Sequence, residues 1–265
     1  MFAEYFNPLY SLSGFGVGML VGITGVGGGS LMTPLLMLLF GVHPTTAVGT
    51  DLLYAAITKS AGTAVHRKYG NINWKIVGTL AAGSVPAALI TLWLMSGVDR
   101  HSLTVVSNIT TALGWMLLLT AILLLLRKQI LQFAVVQMKG RRPPSPALVT
   151  ALTWVLGLVL GVLVTLTSVG AGALGVTILI ALYPRLDIRE IVGSDIVHAV
   201  PLTLVAGMGY WVIGEIDWGM LFALLVGSIP GIMVGSHLAP RLHETFVRTL
   251  LAATLVLVGI KLIAS

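Results

Sequence analysis

The sequence predicts an all-α polytopic membrane protein, built from two repeats of about five helical segments each. Of its 265 residues, 57% are hydrophobic and only 9% are charged, whereas soluble domains carry about 25% charged residues. Long apolar runs recur along the whole chain, and a bilayer requires every backbone polar group to be satisfied within a helix or a closed barrel. Several sequence blocks of the first half also recur in the second half.

Ten apolar segments follow one another along the chain. Those of the first half cover 10–24, 30–41, 45–66, 74–97 and 103–126. Those of the second half cover 147–167, 171–183, 189–212, 218–239 and 245–264. Because they do not alternate between polar and apolar residues, they do not fit barrel strands. The second segment of each half is too short to cross about 30 Å of hydrocarbon upright, so we expect a re-entrant half-helix or a short buried helix there.

Four sequence blocks occur in the same order in both halves. They are TGVGGGSL (24–31) and TSVGAGAL (167–174), GTDL (49–52) and GSDI (193–196), GNINW (70–74) and GEIDW (214–218), and GSVPA (83–87) and GSIPG (227–231). Four matched blocks in register indicate an internal duplication. We therefore divide the chain into a first repeat at 1–127, a cytoplasmic linker at 128–146 and a second repeat at 147–265.

The distribution of basic residues predicts the orientation of the two repeats. The GNINW block is flanked by Arg67, Lys68 and Lys75, whereas its counterpart GEIDW contains Glu215 and Asp217. By the positive-inside rule the first of these loops is cytoplasmic and the second is outside. Equivalent loops on opposite faces predict inverted-topology repeats in the cell (inner) membrane, with both termini extracytoplasmic.

Composition also excludes several classes of function. The chain has no cysteine, so disulfides and thiolate metal sites are excluded, and we expect no metal and no cofactor. The net charge of +6 comes from basic residues beside the apolar segments, which are topology signals rather than a nucleic-acid surface. The expected partners are the lipid bilayer and a small anionic substrate, and a homo-oligomer is left open.

A glycine cluster interrupts the apolar sequence near the start of each half. Inverted repeats with glycine-interrupted segments at matching positions indicate a secondary transporter, and the amides freed at a helix start favour an anion. The predicted substrate-binding residues are Thr24, Gly25, Gly27, Gly28, Gly29, Ser30, Thr167, Ser168, Gly170 and Gly172. By contrast, the spacing of Gly14, Gly18 and Gly22 is typical of close helix packing.

Ionisable residues within apolar segments are functional by default in a membrane. Asp51 and Asp195 occupy equivalent positions, and each either takes up a proton when an anion binds or accepts hydrogen bonds that hold a helix start in place. His198 follows Asp195 by one helical turn, and Tyr54 is its counterpart; the imidazole either relays protons or is a satisfied core group. Lys59 either attracts the anion or extends to the cytoplasmic edge. These five residues are the predicted proton-coupling or gating group.

Taken together, these motifs resemble the sulfite exporter TauE/SafE family of membrane permeases. The likeness covers nearly the whole chain. It rests on GVGGG (25–29), AVGTDLLYA (47–55), GSDIVHAVPLTLVAG (193–207), GEIDW and GSIPG. The resemblance implies transport of small sulfur-containing or carboxylate anions, such as sulfite or an organosulfonate, usually outward. The residues themselves lead only to a small anion.

The predicted function is a secondary transporter and exporter of small anions that works by alternating access and is coupled to protons. One alternative is a passive anion channel with the same amide-lined site. A second alternative is an intramembrane hydrolase that uses Ser168 and His198, but the surrounding TSVGAG offers no strand-to-helix nucleophile elbow. We therefore do not expect an enzyme.

Overall fold

The regular secondary structure in the part of the chain that the structure describes is all helical. This computed structural model describes residues 8–24, 29–68, 70–138, 145–238 and 244–264. Within those ranges there are ten α-helices and no strand, which confirms the all-α prediction.

The ten helices follow the ten predicted segments. The first half contains α1 (Pro8–Thr24), α2 (Gly29–Phe40), α3 (Pro44–Lys68), α4 (Trp74–Ser96) and α5 (Leu103–Met138). The second half contains α6 (Pro146–Thr167), α7 (Ala173–Leu182), α8 (Ile188–Val212), α9 (Trp218–Leu238) and α10 (Glu244–Ala264). The short second segments are confirmed as the short helices α2 and α7.

One helix runs well beyond its apolar segment. The apolar part of α5 is a candidate span at Leu103–Leu126, but the helix continues to Met138, inside the predicted linker. Arg127 and Lys128 end the hydrophobic run, yet both are good helix formers. Hydropathy therefore located the end of the apolar segment and not the end of the helix.

Among the described residues, six helices are long and apolar enough to cross a membrane. The candidate spans lie in α4, α5, α6, α8, α9 and α10. The helices α1, α2 and α7 are shorter apolar helices, and α3 is long but carries several polar side chains, which include Asp51 and Lys59. The chain is therefore a multi-pass membrane protein.

The helix starts that follow the two matched loops are built alike. Asn73 and Asp217 each accept a hydrogen bond from the backbone N–H three residues further on, which satisfies a free donor of the first turn. The Asn73 N–H donates to the Ser194 hydroxyl (2.8 Å), and the Asp217 N–H donates to the Thr50 hydroxyl (3.2 Å). Each loop thus binds the start of a helix from the other half.

Glycines bring α1 against α9 and α4 against α6. A Cβ at Gly14 or Gly18 would overlap with the backbone of Leu224 or Ser228, which confirms these glycines as packing positions. The residue numbers of these contacts increase together along both helices, so α1 and α9 run parallel. A Cβ at Gly157 would likewise overlap with Leu80, and one at Gly161 with Ser84, so α4 and α6 also run parallel.

Two further helix pairs are antiparallel. A Cβ at Gly49 would meet Tyr210, and one at Gly207 would meet Leu53, so the start of α3 packs against the end of α8. In the same way Gly114 approaches Ile263 while Gly259 approaches Leu118. Helices α3 and α8 therefore pack against each other inside the bundle, and α2, α4, α5, α6, α7 and α9 surround them.

Candidate functional site

The first buried acid of the site is held by the short helix α2. The Asp51 side chain is completely buried, and its Oδ2 accepts hydrogen bonds from the Thr33 hydroxyl (2.5 Å) and the Thr33 N–H (3.2 Å). The hydroxyl of Ser168, in the break between α6 and α7, lies beside the same carboxylate. Asp51 therefore connects α3 to both short-helix regions.

The second buried acid is held at the start of α7. Asp195 lies on α8 with 1% of its surface exposed, and its carboxylate faces the N–H of Gly172, the N-cap of α7. Its Oδ1 occupies the space that a Cβ on Gly175 would need. Each aspartate thus lies against the first turns of a short helix, where partial positive charge favours a carboxylate.

His198 and Tyr54 follow Asp195 and Asp51 by one helical turn, and each of them lies beside a serine. His198 Nε2 lies 2.8 Å from the Ser84 hydroxyl on α4. At the equivalent place, Ser228 on α9 lies beside the Tyr54 hydroxyl. These contacts join each central helix to a long helix of the opposite half.

Lys59 lies almost entirely inside the protein. Only 9% of the residue is exposed, and its ammonium is within electrostatic reach of Asp51, Asp195 and His198. In the described part of the chain both ion pairs involve Glu215, so no described carboxylate comes within ion-pair distance of Lys59. We call Asp51, Tyr54, Lys59, Ser168, Asp195 and His198 the core cluster.

Buried polar atoms without a hydrogen-bond partner concentrate in this core cluster. Among the described side chains these atoms are Asp51 Oδ1, Tyr54 Oη, Ser168 Oγ, Asp195 Oδ1 and His198 Nδ1, together with Thr63 Oγ1 and Thr120 Oγ1. Because buried polar groups in proteins are nearly always bonded, such a concentration indicates a place for water or a polar ligand.

The break between α6 and α7 contains the predicted residues of the second half. Ser168 ends α6 with a φ of 58°, and Gly170 and Gly172 have φ values of 123° and 117°, which glycine adopts without strain. The Thr167 hydroxyl donates to the Leu163 carbonyl (2.7 Å), so it holds the helix end. Ser168 therefore lies beside Asp51 and Gly172 beside Asp195, whereas the Thr167 hydroxyl bonds to the backbone of its own segment.

The predicted residues of the first glycine cluster are only partly described. Thr24 ends α1, and Gly29 and Ser30 begin α2. Gly25, Gly27 and Gly28 lie outside the described residues. The role of this cluster in binding stays a prediction.

Comparison with known families assigns the chain. The family model described as Sulfite exporter TauE/SafE matches residues 10–262. The chain belongs to the TauE/SafE sulfite exporter family. The family expected from the GVGGG, GSDIVHAVPLTLVAG and GSIPG motifs is thus confirmed, and the protein is a membrane transporter rather than an enzyme.

Curated relatives of this TauE/SafE transporter carry consistent names. It is 38% identical over 261 residues to "Probable membrane transporter protein YjnA" of Bacillus subtilis, which covers 95% of this chain and 98% of that protein. It is 30% identical over 253 residues to "Probable membrane transporter protein YdhB" of the same organism, with 94% and 97% covered. A "Probable membrane transporter protein" of Xylella fastidiosa is 27% identical, with 88% and 85% covered. No solved structure matches the chain.

The geometry also fails to support the hydrolase alternative. The hydroxyl next to His198 belongs to Ser84, whereas Ser168 lies beside Asp51. His198 Nδ1 has no hydrogen-bond partner among the described residues, so no carboxylate orients the imidazole as a nucleophile's base requires. The Ser168–His198 pair considered from the sequence of this transporter is therefore not assembled.

Sequence reasoning missed three polar residues of the transporter's site. Ser84 and Ser228 lie in the matched blocks GSVPA and GSIPG, so their recurrence was a signal that could have found them. Thr33 gave no such signal, because Val176 stands at the equivalent position of the second half.

A second polar cluster lies at the end of the bundle where α3 begins and α8 ends. Glu215, in the loop between α8 and α9, accepts hydrogen bonds from the hydroxyls of Thr45 (2.8 Å) and Thr46 (2.9 Å) and from Arg100 Nε (3.3 Å). His101 Nε2 lies 3.4 Å from the same carboxylate. These residues form the Glu215 cluster, which joins the α8–α9 loop to the α4–α5 loop and to the first turn of α3.

Burial and hydrogen bonding shift the pKa of Glu215 in opposite directions. Burial raises the pKa of Glu215, but the hydrogen bonds from Thr45, Thr46 and Arg100 outweigh it and hold the pKa below its usual range. Partial burial and the neighbouring His101 lower the pKa of His43, and the negative charge of Glu215 acts in the opposite direction. Glu215 is thus a stably ionised acceptor at neutral pH.

Proposed function

We propose that this transporter exports small anions, such as sulfite, organosulfonates or carboxylates, by alternating access and with proton coupling. The observation that carries the proposal is the core cluster: two acids, one ammonium, an imidazole and two hydroxyls, buried among the helices of a membrane transporter and carrying five unpaired polar atoms. Ionisable groups buried among the helices of a membrane protein are rare and mark substrate or proton pathways by default.

The arrangement of helices supports two inverted repeats. The equivalent helices α3 and α8 pack antiparallel, and so do α5 and α10. Equivalent elements that run in opposite directions are expected when a duplicated unit is inserted upside down. With the distribution of basic residues, this packing supports a cytoplasmic linker at 128–146 and extracytoplasmic termini in the inner membrane.

Binding of an anion is supported by the donors of the core cluster. The Lys59 ammonium carries the positive charge, and the unpaired Ser168 hydroxyl can donate to an oxyanion. The cluster lies beside the start of α7, whose amides and dipole favour negative charge. Proton coupling is supported by the two aspartates, because a buried carboxylate next to a bound anion must lose its charge to avoid strong repulsion.

Transport by the purified protein in proteoliposomes tests this proposal. We expect uptake of at least one of sulfite, methanesulfonate and lactate, and accumulation above the equilibrium level when a pH gradient is imposed. A passive channel with the same site would let the anion equilibrate but would not concentrate it when only a pH difference is imposed.

A Gly172→Val variant tests whether the start of α7 belongs to the transport site. A β-branched side chain is strained at a φ of 117°, so the start of α7 would change and transport should be lost. Gly78→Val on α4, where an added Cβ meets nothing within 4 Å, should leave transport unchanged. Wild-type protein that moves none of the three anions, in either direction, would refute the proposal.

A further inference from the structure

The core cluster is closed towards both ends of the bundle. Its six side chains are between 0% and 9% exposed, so an anion in solution reaches them only after one end has opened. Alternating access requires that one end opens while the other stays closed. The contacts that close each end are therefore the places to look for the two gates.

At one end, the loop between α8 and α9 is bound to the first turn of α3. Glu215 Oε2 accepts hydrogen bonds from the hydroxyls of Thr45 (2.8 Å) and Thr46 (2.9 Å). Both threonines precede Asp51 on α3, and Thr46 lies about 7.5 Å before it along the helix axis. The loop thus holds the part of α3 that lies between Asp51 and this end of the bundle.

At the other end, the loop between α3 and α4 holds the first turns of α8 in the same way. Asn73 Nδ2 donates to Glu190 Oε1 (2.9 Å), and the Asn73 N–H donates to the Ser194 hydroxyl (2.8 Å). When GTDL is aligned with GSDI, Glu190 is the counterpart of Thr46, and each lies five residues before an aspartate. These three residues of the other end are the Asn73 cluster. Each end is thus closed by a loop of one half on a central helix of the other half.

The contacts of the Glu215 cluster can be broken and remade during a transport cycle. They are hydrogen bonds and an ion pair at the end of the bundle, where the side chains of Arg100 and His101 are 21% and 66% exposed. Water can replace such bonds at a small net cost in free energy. The α1–α9 seam consists of close backbone contacts instead, which suit two helices that stay together throughout the cycle.

Each of the two loops also begins with a glycine in the left-handed region. Gly214 has a φ of 81° and Gly70 has a φ of 69°, and a Cβ added at either would meet nothing within 4 Å. Packing does not require these glycines, whereas the backbone turn does. Residues of this kind, at the end of a helix, are where hinge motions are absorbed.

We infer that the Glu215 cluster is one gate of the transporter, which opens the core cluster to its end of the bundle when Glu215 separates from Thr45 and Thr46. This inference rests on the proposed function and adds the residues that control access to its site. The Asn73 cluster is the gate at the opposite end. Because the gates open one at a time, breaking either should expose the core to that end only.

A single cysteine in the core reports which end is open, because the chain has none of its own. Ser168→Cys places a thiol beside Asp51. A small membrane-impermeant methanethiosulfonate is added to intact cells and to inside-out vesicles. The side from which Asp99→Cys, in the loop of Arg100, is labelled is the side of the Glu215 cluster. Labelling needs no known substrate, so its outcome is separate from whether an anion is transported.

Glu215→Gln should raise the labelling rate of Ser168→Cys from its own side about tenfold or more, because hydrogen bonds to a charged group are weakened. The rate from the opposite side should not rise. Asp99→Asn makes the same change at an exposed acid of the neighbouring loop and should leave both rates as they are. Glu190→Ala removes the acceptor of Asn73 Nδ2 and should raise labelling from the opposite side only.

A cross-link tests whether the gate must open during transport. The pair Thr46→Cys and Glu215→Cys, joined by a short bifunctional methanethiosulfonate, should lose anion flux in proteoliposomes, and a reductant should restore it. Each single cysteine variant, treated in the same way, should keep its flux. Flux that persists through a completed cross-link would show that the gate lies elsewhere.

An unchanged labelling rate in Glu215→Gln, or an equal rise from both sides, would also overturn the inference, since loss of a merely structural contact would loosen the bundle without a preferred side. Either result would leave anion transport intact. If Glu215→Gln does not fold, Thr46→Val removes one hydroxyl of the gate and should give a rise of about threefold from the same side. The absence of that rise would likewise overturn the inference.

Discussion

Asp51 and Asp195 are equivalent in the repeat but differ in their surroundings. Thr33 gives two hydrogen bonds to Asp51, and no equivalent hydroxyl exists for Asp195 because Val176 replaces Thr33. Asp195 instead has His198 one turn away, where Asp51 has Tyr54. From this difference we propose that Asp51 has mainly a structural part and that Asp195 exchanges the proton.

Asp195→Asn should therefore keep exchange of substrate across the membrane but lose accumulation driven by a pH gradient. Asparagine has the shape of the protonated acid without titrating. Counterflow and pH-driven uptake in the same proteoliposomes separate the two activities. Asp51→Asn should mainly lower the yield of folded protein. Continued accumulation by Asp195→Asn under an imposed pH difference would show that the coupling residue lies elsewhere.

Glu215 should stabilise the folded protein in a pH-dependent way. Its folded pKa lies below the ordinary value of 4.5, so its contribution is present above about pH 4.5 and is lost as the pH falls through the folded pKa. Glu215→Gln should cost about 1.5–3 kcal/mol at neutral pH, the range for hydrogen bonds to a charged group.

Thermal unfolding in detergent, at neutral pH and below about pH 4, measures this contribution. The difference between wild type and Glu215→Gln should shrink at the lower pH. Asp99→Asn, at an exposed acid in the neighbouring loop, is the control and should change little at either pH. An equal loss at both values would mean that the charge of Glu215 is not what stabilises the cluster.

At the scale of elements, glycine seams determine which helices pack together. Helix α1 carries Gly14 and Gly18 on the face that meets α9, while an added Cβ at Gly16 of the same helix meets nothing within 4 Å. The seam lets the two backbones approach closely, which favours association in lipid, where the hydrophobic effect contributes little.

Gly18→Ala should destabilise the protein by about 1–3 kcal/mol, because the added Cβ would overlap with the backbone of Ser228 rather than with a flexible side chain. Gly16→Ala makes the same substitution two residues away in open space and should be neutral or slightly stabilising. Unfolding of both variants in the same detergent gives the comparison. Similar stabilities would show that the α1–α9 seam tolerates a side chain.

At the scale of the molecule, the two ends of the bundle are chemically different. One end has the Glu215 cluster with its ion pair to Arg100. At the other end Asn73 Nδ2 donates to Glu190 (2.9 Å) and the Asn73 N–H to Ser194, and the described residues there form no ion pair. The basic residues predict that the first end is extracytoplasmic and the second cytoplasmic.

The absence of cysteine from the sequence allows this orientation to be tested without background. A membrane-impermeant maleimide added to intact cells should label Asp99→Cys, in the loop beside Arg100. It should label Lys75→Cys, at the start of α4, only after permeabilisation. The reverse pattern would overturn the orientation, and labelling of both from one side would overturn the placement of the two loops on opposite faces.

The sequence by itself determined the ten segments, the short helices α2 and α7, the break at Gly170 and Gly172, and the family. These features depend on local information: apolar runs set by the bilayer, glycines that permit unusual backbone angles, and blocks repeated in order. The extension of α5 was missed for the same reason, since hydropathy reports contact with lipid and not backbone hydrogen bonding.

Only the tertiary structure decided which polar groups meet. Lys59 is buried within electrostatic reach of both acids. Ser84 lies next to His198 because α4 packs on α8, and Thr33 reaches Asp51 because α2 packs on α3. These partners are far apart in sequence. Their meeting depends on which helix faces the glycine seams bring together, and no local pattern of residues encodes that choice.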